Sequence, residues 1–298
     1  MIALKPEDIL IIGAGPAGIA AALQLKRSGI PFILLERERV GGLLWNANLV
    51  ENYPGFPAGI TGPRLVHLFE AQMQRLEIEI TKDEALQLDI NPGSLHVTTG
   101  QGSYHPHYLI VATGTKSRPI PLDIPPELRD QIHTEVSHLV NVHSSRIVIL
   151  GAGDAAFDYA LNLAKTNDVT ILMRGRESHC LPLLLKRAVS NPRIEIQAGI
   201  EISDLRKGTN GEVCFTCLRE GKPVDHFCDY FVFAIGRQGY LDFLPEGKNL
   251  ACQDLMNEHR LSFIGDVTNG VYRQTAIAVG DGLRAAMQIY THIAQRED

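Results

Sequence analysis

The strongest constraint on the fold is an internal echo. Asp8-Ile-Leu-Ile-Ile-Gly13-Ala-Gly15-Pro16-Ala17-Gly18 runs on to Leu35-Glu36, and Arg146-Ile-Val-Ile-Leu-Gly151-Ala-Gly153-Asp154-Ala155-Ala156 runs on to Met173-Arg174, in register throughout. Each copy is an apolar run of strand length, a glycine turn, a helix-like segment and a second apolar run. That pattern is the βαβ unit, so the chain is expected to be an α/β protein with two Rossmann-like dinucleotide-binding domains.

The residue types explain the pattern. Gly13 permits a tight strand-to-helix turn, Gly15 lets the backbone approach a pyrophosphate, and Gly18 allows close helix–strand packing. A pyrophosphate there would rest on the free N–H groups of the helix N-terminus, and Pro16 suits a first helical turn. The helix is expected to stop at Ser28-Gly29. The next strand ends in Glu36, whose carboxylate can accept from both ribose hydroxyls. The second copy keeps Gly151 and Gly153 and has Ala156 at the third position, with a helix from about Asp154 to Lys165. At the offset of Glu36 it carries Arg174, with Arg176 two residues on, and a cation there can accommodate a 2′-phosphate. Copy one therefore suits FAD and copy two suits NADPH, with NADH left open. A bare GxGxxG is weak, because glycines also serve turn geometry alone. Here strand, helix and a polar next-strand terminus accompany it twice. Two dinucleotides on one chain point to electron transfer between them.

The 298 residues are 45% hydrophobic and 21% charged, with net charge −6. There is room for two domains. No basic stripe marks a nucleic-acid partner, no apolar run is long enough to span a membrane, and the N-terminus does not read as a signal peptide. A cytoplasmic protein is expected. The five cysteines, an odd number, argue against a disulfide framework.

Tyr108-Leu-Ile-Val-Ala112-Thr113-Gly114 and Tyr230-Phe-Val-Phe-Ala-Ile-Gly236 are apolar strands ending in glycine, each closing one nucleotide-binding half. Pro119, Pro121, Pro125 and Pro126 follow the first and read as a hinge or linker. The expected division is a discontinuous FAD domain, 1–117 and 239–298, interrupted by an NAD(P)H domain, 118–238. Alternating runs such as Ser94–Thr99 and Glu212–Leu218 predict a small antiparallel layer in each.

Further motifs coincide with one family: Gly41-Gly42-Leu43-Leu44, Val50-Glu-Asn52-Tyr-Pro-Gly55, Ala112-Thr113-Gly114, Gly265-Asp266, Arg273-Gln274-Thr275 and Gly280-Asp281-Gly282. Over nearly its whole length the chain resembles the low-molecular-weight thioredoxin reductases and the thioredoxin-reductase-like ferredoxin–NADP reductases. The resemblance implies a homodimer. It places Gly265 and Asp266 at the flavin's ribityl–phosphate region, Arg273, Gln274 and Thr275 beside the isoalloxazine pyrimidine, and Asn52 opposite. Ala17, Arg37, Leu43, Asp154, Ala155 and Gly236 complete the expected cofactor-binding set. Asp266 has an alternative reading as a helix cap. A terminal amphipathic helix from Thr275 to Ile293 is expected to bury Ala276, Ile277, Val279, Leu283, Ala286, Met287 and Ile289, with its N-terminus toward the flavin, where the dipole stabilises negative charge.

The chain departs from thioredoxin reductases at one place. Their Cys-x-x-Cys pair precedes the second nucleotide strand, where this chain reads Ile132-His-Thr-Glu-Val-Ser-His-Leu-Val-Asn-Val-His-Ser-Ser145, without cysteine. The stretch is similar to that of the ferredoxin–NADP reductase relatives. The match to those is also imperfect: their C-terminal extension is missing, and their His-Arg-Arg phosphate cluster becomes Met173-Arg174-Gly175-Arg176. Cys214-x-x-Cys217 has redox spacing but lies on a strand, where residues three apart face opposite ways. Trp45 reads as a packing anchor before a flavin contact. His105 and His107, expected to share one face of a strand, make a poor metal site. His133, His138 and His143 read as surface or linker residues.

The expectation is an FAD-dependent NAD(P)H oxidoreductase that passes electrons to an external acceptor such as ferredoxin. The rivals are a thioredoxin or other disulfide reductase lacking an internal redox disulfide, and a flavin-binding redox sensor without turnover.

Overall fold

The computed structural model describes residues 4–219, 222–244 and 250–295. Its helices are α1 (Pro16–Arg27), α2 (Gly62–Arg75), α3 (Asp154–Leu163), α4 (Pro182–Val189), α5 (Leu250–Asn257) and α6 (Thr275–Gln295). The chain forms two compact units: 1–45, 50–116 and 238–298 make unit 1, and 46–49 with 117–237 make unit 2.

Unit 1 is built on a five-stranded parallel sheet ordered Leu261–Phe263, Tyr108–Val111, Ile9–Ile12, Ile33–Glu36, Thr81–Lys82. The central strands Ile9–Ile12 and Tyr108–Val111 are buried at every residue. Their continuous apolar runs are what a sheet covered on both faces requires. The antiparallel layer Ala85–Asn91, Ser94–Thr99, Ser103–Tyr104 contributes Leu88, Ile90, Leu95 and Val97 to a core shared with Leu10, Ile12, Leu109 and Val111. α1 begins at Pro16 and ends where Gly29 turns left-handed (φ 71°) and the Ile30 N–H returns to the Leu25 carbonyl at 3.1 Å. That is a Schellman-type stop.

α1 packs along α6, and this contact corrects the expected face of α6. The buried residues are Ala278, Gly282, Ala285, Ala286 and Ile289. Ala276, Ile277, Leu283 and Met287 are exposed. A Cβ on Gly282 would lie 2.1 Å from the Ala17 carbonyl oxygen and 2.9 Å from the Ala20 Cβ. At Gly282 the helices approach so closely that only a small residue fits, and Ile277, Leu283 and Met287 lie outward, while Ala286 and Ile289 are buried as expected.

Unit 2 repeats the plan. Its parallel sheet is ordered Ile194–Ala198, Asp168–Met173, Arg146–Leu150, Tyr230–Phe233, Ile132–His133. On one face Phe157, Ala160 and Leu163 of α3 and Ala188 of α4 pack on Ile147, Ile149 and Ile171. On the other, Val213, Phe215 and Cys217 of the antiparallel layer Glu201–Lys207, Val213–Arg219, Lys222–Cys228 meet Val148, Leu172, Phe231 and Phe233. The Pro-rich stretch is not a bare linker. Leu128 is fully buried, and Ile120, Leu122 and Ile124 pack against this same core. His133 likewise belongs to a sheet strand rather than a linker, and burial pulls its imidazole below the usual range against a backbone bond at Asp130. His105 and His107 lie in the connection before Tyr108, not on a strand. His105 stacks on His96 at 4.5 Å, and His107 pairs with Asp8 at 3.8 Å. No metal-binding group of three or more His, Cys, Asp or Glu occurs among the described residues, and among them no helix is long and apolar enough to cross a membrane.

Candidate functional sites

In unit 1 the sequence-marked residues gather at the C-terminal end of the parallel sheet, where open α/β sheets bind ligands. Gly13 has φ 101°, and a Cβ on it would stand 2.5 Å from the Ala112 carbonyl oxygen. A Cβ on Gly18 would stand 1.9 Å from the Gly13 carbonyl oxygen. Gly15 is different: nothing lies within 4 Å of its added Cβ. Two glycines are thus demanded by the protein's own packing, and the third faces open space at the start of α1. The Gly41 N–H donates to the Ala14 carbonyl at 2.8 Å, Val66 of α2 fills the space beside Gly41, and Gly42 closes on Gly15. Gly265 (φ 71°) sits on Ala17 and Ala278.

Glu36 is oriented in advance. Its Oε2 accepts the Ala14 N–H at 2.8 Å and its Oε1 accepts the Glu38 N–H at 2.8 Å, leaving each oxygen a lone pair for a ligand hydroxyl. Asn52, from the loop after Val50, donates through Nδ2 to Gln274 Oε1 at 2.8 Å, which joins it to the residue just before α6. Arg273 and Thr275 are half-buried beside Gln274. Asp266 lies within the short 3-10 helix Gly265–Val267 rather than at its cap, which is Ile264. Asp281, absent from the expected set, accepts from the Gly265 N–H at 3.3 Å and from Asn269 Nδ2 at 2.6 Å.

Other expected residues are also bonded within unit 1. Arg37 stacks over Tyr240 at 4.3 Å and pairs with Glu84 at 3.1 Å. The Thr113 hydroxyl donates to the Tyr240 carbonyl at 2.6 Å, and Gly114 O accepts the Tyr240 N–H at 3.0 Å. Tyr240 and Glu84 were not singled out in the sequence. Trp45 is an anchor: its Nε1 donates to Val40 O at 2.7 Å, Arg39 covers its face and His67 meets its edge. Leu43 is half-buried in the 3-10 helix Gly42–Asn46.

Unit 2 carries the same device. A Cβ on Gly151 would meet the Ala234 carbonyl at 2.5 Å, whereas Gly153 faces open space at the cap of α3. Asp154 and Ala155 are exposed in the first turn. Asp154 Oδ1 accepts the Leu181 N–H at 2.7 Å, and the His179 N–H donates to Ala152 O at 2.8 Å, so the 179–181 segment lies along the glycine turn. Arg174 and Arg176 are exposed beyond Met173, and among the described residues neither forms an ion pair. Gly236 (φ 105°) accepts the Arg118 N–H at 3.1 Å.

Cys180, Cys214, Cys217, Cys228 and Cys252 are all free thiols. Cys214 and Cys217 are buried on opposite faces of their strand, and burial pushes both thiols upward, away from the reactive thiolate.

Asp158 of α3 is pushed up to about 6 by burial, against the opposing hydrogen bonds from the Asn48 and Leu49 N–H groups and the charge of Lys165. Its folded value lies above the unfolded one, so the folded state holds the proton more tightly. The associated stability is fully present below about pH 4 and is lost as pH rises through 6. Thermal unfolding followed from pH 5 to 7.5 is expected to show a decline of roughly 1–3 kcal/mol, which Asp158→Asn flattens. An unchanged slope in that variant would contradict this assignment.

Two parallel sheets, each with a glycine turn whose middle glycine is open and leads into a helix, make two Rossmann-like domains. The chain belongs to the pyridine nucleotide-disulphide oxidoreductase family, whose profile matches residues 7–282. It is a thioredoxin-reductase-like FAD-dependent oxidoreductase. A thioredoxin reductase of Treponema pallidum is 27% identical over 300 residues, covering 96% of this chain and 97% of that one. One from Streptomyces coelicolor is 29% identical, covering 98% and 95%. The crystal structure of Lactococcus lactis thioredoxin reductase in its FR conformation has a TM-score of 0.85 at 24% identity, covering 97% of this chain and 99% of that chain. This last likeness concerns the fold alone.

Proposed function

We propose that unit 1, as 1–116 and 238–298 without 46–49, is the FAD domain, that unit 2 is the NADPH domain, and that electrons leave for an external acceptor without an internal dithiol. The reading is carried by two glycine turns whose middle glycines, Gly15 and Gly153, open onto empty space, on a chain with no cysteine between Ile132 and Ser145. When bound, FAD supplies hydride acceptance from NADPH and electron delivery. The chain's residues bind and orient. Gly15 and the first N–H groups of α1 receive a pyrophosphate, and Glu36 holds a ribose diol. Asn52 and Gln274, fixed to each other, stand at the isoalloxazine edge with Arg273 and Thr275. Gly153 and α3 receive the second pyrophosphate, while Arg174 and Arg176 hold the 2′-phosphate.

A one-electron protein carrier such as ferredoxin is the acceptor this reading favours, because nothing at the family's dithiol position relays electrons to a disulfide. Thioredoxin is the second reading, supported by full-length relatives named thioredoxin reductase. A cytoplasmic homodimer belongs to the reading on family grounds alone. The test is NADPH-driven reduction of ferredoxin and of thioredoxin, each by the purified flavoprotein. Ferredoxin reduction with an idle thioredoxin arm is expected. The reverse result would overturn the acceptor assignment, and no turnover with either carrier or with a small-molecule electron acceptor would favour a sensor.

A further inference from the structure

Four residues of unit 2 come from far away in the chain: Asn46–Leu49, whose flanking residues Trp45 and Val50 belong to unit 1. Several of their polar groups are bonded within unit 2. Asn46 is only 2% exposed. Its Oδ1 accepts the N–H groups of Val136 and Ser137, both at 2.9 Å, and its Nδ2 donates to Glu135 Oε2 at 3.0 Å. The other oxygen of Glu135 pairs with Arg237 at 3.1 Å. Two residues on, the Asn48 N–H donates to Asp158 Oδ2 at 2.8 Å, the Leu49 N–H also bonds Asp158, and Lys165 Nζ donates to Asn48 Oδ1 at 2.6 Å.

A surface loop can satisfy its backbone with water, so this loop has no need of a buried amide or a half-buried carboxylate. Asp158 is half-buried and accepts two backbone N–H groups of this segment, a partial loss of water that a passive connection does not require. All the anchors are polar and reversible. Among Ala47, Asn48 and Leu49 none is deeply buried, so nothing apolar commits the segment permanently.

We propose that Asn46–Leu49 is a latch: a strap seated by Asn46 at one end and Asp158 at the other, which opens and closes as one piece while the core of unit 2 stays folded. The strap follows Gly41–Gly42 and precedes Asn52. Its opening gives slack to the loop on which the proposed flavin residues sit, and that consequence alone rests on the proposed function.

Native-state hydrogen exchange on the flavin-free full chain tests the latch independently of any cofactor. The amides of Asn48, Leu49, Val136 and Ser137 are expected to share one opening constant, insensitive to low denaturant, well above that of core amides such as Ile149 and Phe157. Asn46→Ala is expected to raise exchange at all four together by about tenfold or more, with the core amides unmoved. If Asn46→Ala unfolds unit 2, Asp158→Ala carries the same expectation. Exchange of these four amides only through global unfolding, or independent responses at the two ends, would overturn the latch. With FAD bound, Asn46→Ala is further expected to change the flavin fluorescence. Failure of that arm with the exchange result intact would refute the link to Asn52 and leave the latch standing.

Discussion

Gly15→Ala is expected to yield a folded protein that has lost its flavin, and Gly18→Ala a protein that folds poorly. The two positions are three residues apart in one turn, but their surroundings differ. An added Cβ at Gly18 would fall 1.9 Å from the Gly13 carbonyl oxygen, with the Ala112 Cβ at 3.3 Å. Neither neighbour is a flexible side-chain end, so relief requires moving α1 against its strand. Overpacking of this kind costs about 1–3 kcal/mol or more, roughly 2–4 °C per kcal/mol for a chain of this size. At Gly15 the backbone is extended (φ −75°, ψ −179°), a conformation any residue adopts, and nothing stands within 4 Å. Alanine there leaves the fold alone and places a methyl group where a pyrophosphate would sit. The measurement is FAD content after purification together with the melting temperature of the apoprotein. Full FAD retention by Gly15→Ala would remove unit 1's turn as the flavin site. The same pairing holds in unit 2, where Gly151 is confined by Ala234 and Gly153 is open.

Replacing Arg174 and Arg176 together by glutamine is expected to raise the KM for NADPH at least about 30-fold while leaving that for NADH within about twofold. Each charge-assisted phosphate contact is worth roughly 1.5–3 kcal/mol, and each 1.4 kcal/mol is about tenfold. Both side chains are exposed, which discounts the upper end. Arg174 occupies the offset that Glu36 holds in the first copy, so the single Arg174→Gln substitution is expected to account for most of the effect. Equal losses with the two coenzymes would show that the pair serves the pyrophosphate or the fold instead.

The legible part of this protein is the part dictated by backbone geometry. Gly13, Gly18 and Gly151 are compulsory because backbone carbonyls stand where a Cβ would go, and such positions announce themselves in sequence. The position of Glu36 is legible too: the strand ends there, and its carboxylate reaches the Ala14 N–H of the glycine turn. Of the residues that the amphipathic pattern of α6 assigns to the core, Ala286 and Ile289 are buried and Ala276, Ile277, Leu283 and Met287 are exposed. Its partner α1 approaches closely at Ala17 and Ala20, and Gly282, Ala285 and Ala286 fill the contact. Residues that act through long-range pairing left no local trace. Asn46, Asp158, Tyr240 and Glu84 are ordinary polar residues until the fold joins them to partners distant in sequence. Asp281 lies inside the Gly280-Asp281-Gly282 motif, but its bonds to Gly265 and Asn269 become visible only in the fold.

The most direct test of the central claim is an anaerobic titration of the purified FAD-loaded protein with NADPH, followed through the flavin's visible band. If reducing equivalents enter at the second nucleotide site and stop at the flavin, a single equivalent of NADPH per flavin bleaches the band and further additions stay unoxidised. Consumption of a second equivalent would reveal a redox-active thiol pair that the placement of Cys214 and Cys217 rules against, and a band untouched by NADPH would contradict electron transfer between the two sites.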